Sequence, residues 1–192
     1  MNITNPTQLI LVAVIFLILG GVIAMALMRV QRTKRLRERF GPEYERTLNE
    51  IGDKRQAESE LDARLAHVNT LNIRPLTAEE VNRFALEWQK TQTEFVDEPL
   101  TALQKADRLI REVMKTRGYP VEDFEQRAAD ISVDYPELVT DYRGLHLIAA
   151  KEKDDKISTE EMRQAMVHGR ALFENLISQE ANAETIAEKE KI

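Results

Sequence analysis

Three histidines and the acids around them are the side chains best suited to chemistry in this chain. They are His67, His146 and His168. A zinc or di-iron centre built on a helix needs a second ligand three or four residues away, so that both project from one face. None of the three belongs to an HExxH pair, and none has a glutamate three residues before it. No metal site is expected from them. The segment Asp130 to His146 gathers Asp130, Asp134, Asp141, Arg143 and His146 near Tyr135 and Tyr142. Carboxylates beside an imidazole are the material of general acid–base catalysis. No nucleophile, metal ligand or oxyanion donor can be named beside them, so a solvated helix pair is the expected reading. An enzyme of unfamiliar type using residues 130–146 stands as the alternative.

Ala150 to Glu161, AKEKDDKISTEE, is the other segment with ligand-like letters. It places Glu152, Asp154, Ser158 and Glu161 at the third, fifth, ninth and twelfth positions of a calcium loop. Ala150 stands where the first carboxylate is needed, and Asp155 where the sharp turn wants glycine. A loop leading into a Ser158–Glu161 capping box explains the same residues without a cation. There is no Gly-x-Ser-x-Gly elbow and no glycine-rich phosphate loop. The chain has no cysteine, which removes disulfides and thiolate metal sites. No cofactor and no catalytic residue is expected.

The elements that would carry these residues begin with an uncharged run, Leu9 to Met28. A helix needs about 20 apolar residues to cross ~30 Å of hydrocarbon, and the run has that length. Asn5-Pro6 reads as a cap followed by proline in the first turn. Directly after the run come Arg29, Arg32, Lys34, Arg35, Arg37 and Arg39, against one acid, Glu38. Six against one makes this collar +5; the whole chain is −6 and residues 1–28 are uncharged, so residues 40–192 carry −11. Basic residues stay on the cytosolic side, so the N-terminus is expected outside and the domain inside. They also attract anionic lipid headgroups. An acidic domain repels a phosphate backbone, so nucleic acid is not an expected partner. The rival is a signal peptide cleaved near Ala24-Met25-Ala26, leaving a periplasmic domain, although MNITNPTQ lacks the positive start such a peptide uses.

Beyond the collar the chain reads as helices. Composition suits a helical domain with a well-solvated surface. The chain is 43% hydrophobic and 31% charged, with only 7 Gly and 6 Pro in 192 residues. Gly41-Pro42 ends the first helix and opens the next. Residues 43–71 read as one long amphipathic helix, bent at Gly52, with Tyr44, Leu48, Ile51, Leu65 and Val68 as a narrow stripe. Such a stripe suits a stalk or coiled coil, completed by a partner helix, by a second copy, or by the chain's own domain. Thr77 and Glu80 form a capping box before a helix carrying Phe84 and Trp88. Trp88 is expected in the core with Phe84 and Phe95. Asp97-Glu98-Pro99 opens a helix that stops at Gly118. Shorter helices follow over about 121–131 and 136–151, and a last one begins after Ser158. The only strand-like stretch, Ile131-Ser132-Val133, is very short.

The stretches LRERFGPEYERTLNEIGDKRQAESEL, RGYPVEDFEQRAADISVDYP and TEEMRQAMVHGRALFENLI resemble a bacterial family of small helical proteins that carry an N-terminal hydrophobic segment. The family is uncharacterised, so the resemblance implies a bacterial origin and this architecture; it implies no activity and transfers no functional residue. The expected protein is therefore all-α and single-pass, anchored in the bacterial inner membrane. Residues 1–40 form the anchor and collar, 41–76 the long amphipathic helix and linker, 77–178 a small helical bundle, and 179–192 a disordered tail. Its expected role is to bind a protein partner, or itself, at the membrane surface.

Overall fold

A computed structural model describes residues 6–152 and 156–178; the cap expected at Asn5, residues Lys153 to Asp155 and the tail at 179–192 lie outside the described residues. Every regular element among the described residues is a helix: α1 (Pro6–Phe40), α2 (Pro42–Ile51), α3 (Lys54–Val68), α4 (Ala78–Glu94), α5 (Pro99–Arg117), α6 (Phe124–Asp134), α7 (Val139–Ala149) and α8 (Thr159–Ser178). The strand-like stretch Ile131-Ser132-Val133 lies inside α6.

α1 is 35 residues long. At a rise of ~1.5 Å per residue it spans about 52 Å. Its apolar part is long and apolar enough to cross a membrane: the most apolar window has mean hydropathy 2.5, and none of it is buried inside the protein. The helix does not end with that part. It runs on through the collar, and Leu36 and Phe40 are fully buried in a small core with Tyr44, Leu61, Val68 and Val133. The apolar run and the domain thus share one continuous helix, with no linker between them.

Gly41 and Gly52 turn the chain twice. Gly41 has φ +47° and passes α1 into α2, whose first residue is Pro42. Gly52 has φ +73°, a conformation in which a side chain is strained, and its N–H donates to the carbonyl of Leu48. Asp53 then caps α3 by accepting from the backbone N–H of Gln56 at 2.9 Å. The helix expected over 43–71 is therefore corrected to an antiparallel hairpin. Glycine in the left-handed region, followed by an aspartate cap, is a stop and a start, not a bend.

The hairpin also takes up the stripe. Tyr44 and Val68 are buried, and Leu48 and Leu65 are half-buried against the same small core. Only Ile51, at the turn, is exposed among the five. The stripe is completed by α1 and α6 of its own chain.

The larger core is built by α4, α5, α6, α7 and α8. Trp88 is 5% exposed, and its ring stacks on Phe173 at 4.4 Å. Phe84 is buried in the same core, and Phe95 packs at its edge. Leu71 and Ile73, in the connection between α3 and α4, pack against both cores. Both expected capping boxes form: Thr77 with Glu80, and Ser158 with Glu161.

Candidate membrane-proximal site

The collar is built by helix geometry. Six bases within eleven residues of one helix must point in several directions, because successive side chains are about 100° apart. Three of the directions meet carboxylates of the folded domain. Arg32 and Arg35 both reach Asp62 on α3, at 2.7 and 3.1 Å. Arg37 pairs with Glu45 on α2 at 3.2 Å and lies over the ring of Tyr44. Arg39 approaches Asp134 on α6 at 3.6 Å. Lys34 faces Glu38 one turn along α1. Arg29 has the sulfur of Met25 within 3.7 Å. The collar therefore docks the domain onto the helix as well as following the apolar run, a role its sequence did not reveal.

Pairings fix how α3 lies against α1. Thr33 donates to Glu58 at 2.6 Å, and Arg35 reaches Asp62 two positions farther along α1 and four farther along α3. The two helices run in the same direction, so the start of α3 stands beside the first turn of the collar. A cleft of about 730 Å³ opens there. Arg29, Arg32, Lys34 and Arg37 line it from α1, and Lys54 and Arg55 from α3. Glu38 and Glu58 are its only acids. Glu58 is committed to the fold: it accepts from Thr33 and from Tyr44, the latter at 3.0 Å. Burial alone would raise its carboxyl. The two hydroxyls, with Lys54 and Arg32 nearby, instead hold it below the ordinary carboxylate range.

The other candidate residues are brought into separate pairs, not into one centre. Asp134 accepts from Tyr119 at 2.6 Å. Asp141 stands 2.8 Å from His168. His146 lies 3.1 Å from Asp107, and its ring stacks on Phe124 at 3.7 Å. Asp130 is fully buried, accepts from Gln126 at 2.9 Å and has His67 at 3.6 Å. Its burial pushes its carboxyl above the usual range, against the pull of Gln126 and His67. Tyr135 accepts from Arg117, and Tyr142 from Arg127. Each histidine thus has its own aspartate, and no group of three metal-ligating side chains converges among the described residues. In the calcium-like segment, Asp154 and Asp155 lie outside the described residues, while Ser158 and Glu161 bond to each other.

Arg143 leads to a cluster that sequence reading missed. Glu43 has no exposed side-chain surface, and three guanidinium groups surround it: Arg143 at 3.1 Å, Arg64 at 3.0 Å and Arg46 at 3.2 Å. One carboxylate so ties α2, α3 and α7 together. A buried carboxylate held by several arginines is a structural joint. Two of its three partners lie 21 and 100 residues away, where no local spacing could announce them.

No protein-family model matches the chain, no curated protein matches it in sequence, and no solved structure matches it in fold.

Proposed function

We propose that this chain is a membrane-anchored helical scaffold of the bacterial inner membrane, with its domain on the cytosolic side, and that it holds a protein partner or a second copy there without catalysing a reaction. One observation carries the reading: α1 continues unbroken from an exposed apolar stretch, through six bases, into a core where Leu36 and Phe40 are fully buried. A helix rooted at both ends sets the domain's distance and orientation relative to whatever holds the apolar part. The direction follows from the collar, since bases next to an apolar span resist translocation. A binding role is favoured over catalysis because the candidate acid–base residues are each engaged in structural pairs. With the stripe of α2 and α3 buried, the solvent-facing sides of the bundle remain for a partner.

Alkaline carbonate extraction of native membranes tests the anchor. The full-length chain should stay in the pellet. A soluble chain beginning just after Ala26 would replace the anchor with a cleaved signal peptide. Cross-linking in the same membranes tests the binding role. A discrete linked product, to a second copy or to another protein, is expected; only the monomer at every linker length would overturn it.

A further inference from the structure

We propose that the cleft between α1 and the start of α3 seats the phosphate headgroup of an anionic phospholipid, with Lys54 and Arg55 supplying a second wall of charge opposite Arg29. The inference rests on the membrane reading above and adds a site and a ligand class to it. Geometry places the cleft at the right height. α2 is ten residues long and runs back along α1 from the level of Phe40. Its length is about 15 Å at the helical rise. Its end therefore returns to about the level of Val30, two residues past the apolar run. Arg29 and Val30 share the cleft with Lys54 and Arg55, in keeping with that return. Ile51, at the tip of the turn, is exposed and apolar, as a residue at an interface can be.

Charge selects the ligand. Six bases against two acids line the cleft, and Glu58 is already occupied by Thr33 and Tyr44. Arg32, Lys34 and Arg37 have carboxylates of their own. No carboxylate partner is found for Arg29 or Arg55 among the described residues, and Lys54 has only Glu58, at 3.7 Å. An anion is what this wall lacks. The cleft's volume is also that of a small-ligand site, for which the range is roughly 300 to roughly 1000 Å³. A headgroup whose acyl chains follow the exposed apolar face of α1 satisfies both the charge and the neighbouring apolar surface. Juxtamembrane bases recognise anionic lipid in this way. The two bases on α3 lie outside the collar that sets topology, so they can be changed without reversing the chain.

The test uses the full chain in nanodiscs that mix phosphatidylglycerol with phosphatidylcholine, read by the lipids retained on release into the gas phase. Phosphatidylglycerol should be retained preferentially. The double substitution Lys54→Gln, Arg55→Gln should cut that preference by roughly five-fold per base removed. Inorganic phosphate at millimolar concentration should leave it unchanged. Equal retention of the two lipids, or a preference untouched by the double substitution, overturns the site. Displacement by inorganic phosphate overturns the lipid assignment in favour of a free anion. A chain that fails to enter the nanodisc at all refutes the anchor instead, so the two readings fail separately.

Discussion

Glu43 and Asp130 are both buried carboxylates, and they should behave in opposite ways. Glu43 is surrounded by arginines, so removing it strands Arg143 in a place with little water and leaves Arg64 with Glu60 alone. Glu43→Ala should cost about 3–5 kcal/mol in a denaturant melt. Asp130 has Gln126 and His67 beside it, with Asp134 and Arg64 acting on its charge in opposite directions, and one of its oxygens has no hydrogen-bond partner. Its carboxyl titrates above the ordinary value of 3.8 because burial disfavours the charge. A raised acid contributes stability that is fully present below its unfolded value and is lost as pH rises through its folded one. Asp130→Asn, which keeps the neutral form at every pH, should therefore stabilise the protein at pH 7. The gain should shrink toward pH 4. An equal gain at both pH values would show that charge is not its source. Trp88 is the third test at this scale. Trp88→Ala should cost about 3–5 kcal/mol. Tryptophan fluorescence should shift red on unfolding, since the chain has one tryptophan and it is stacked on Phe173.

Several helix ends were legible in the sequence from one local motif. Thr77 with Glu80, Ser158 with Glu161, and Glu98-Pro99 with Gly118 all stand where spacing put them. The helices expected over about 121–131 and 136–151 stand at Phe124–Asp134 and Val139–Ala149, and the long helix was misread although its motif was given correctly. Gly52-Asp53 is a complete stop and start, but the apolar stripe on either side suggested continuity. That stripe is real; its partners are α1 and α6, which a periodicity cannot name. Changing Leu48 and Leu65 together to Asp should therefore unfold the α2–α3 hairpin, costing at least about 2 kcal/mol. Retained hairpin stability would return the stripe to the surface. The glycines separate two kinds of cost. A Cβ at Gly52 meets nothing within 4 Å. Gly52→Ala should then cost only its backbone strain, about 1 to about 2 kcal/mol. At Gly118, φ is +101° and a Cβ would come within 2.5 Å of the Asn72 carbonyl oxygen. Gly118→Ala should be clearly the more damaging of the pair in parallel melts.

At the scale of the whole molecule, the apolar run and its collar were plain from composition alone. Their union with the domain was not, because the burial of Leu36 and Phe40 depends on residues from Tyr44 to Val133. The cleft was equally hidden: Lys54 and Arg55 join Arg29 only through the turn at Gly52. A single continuous helix extends from the apolar run to the domain core, so under the proposed function the side of the membrane on which the domain lies is the central claim. The absence of cysteine allows that side to be read cleanly. Val96, between α4 and α5, is 81% exposed and carries no structural duty that would forbid replacement. A Val96→Cys chain, expressed in bacteria and treated with a maleimide that cannot cross the inner membrane, should remain unlabelled in intact cells and label fully once that membrane is broken. Labelling in intact cells would place the domain outside the cytosol and contradict the account.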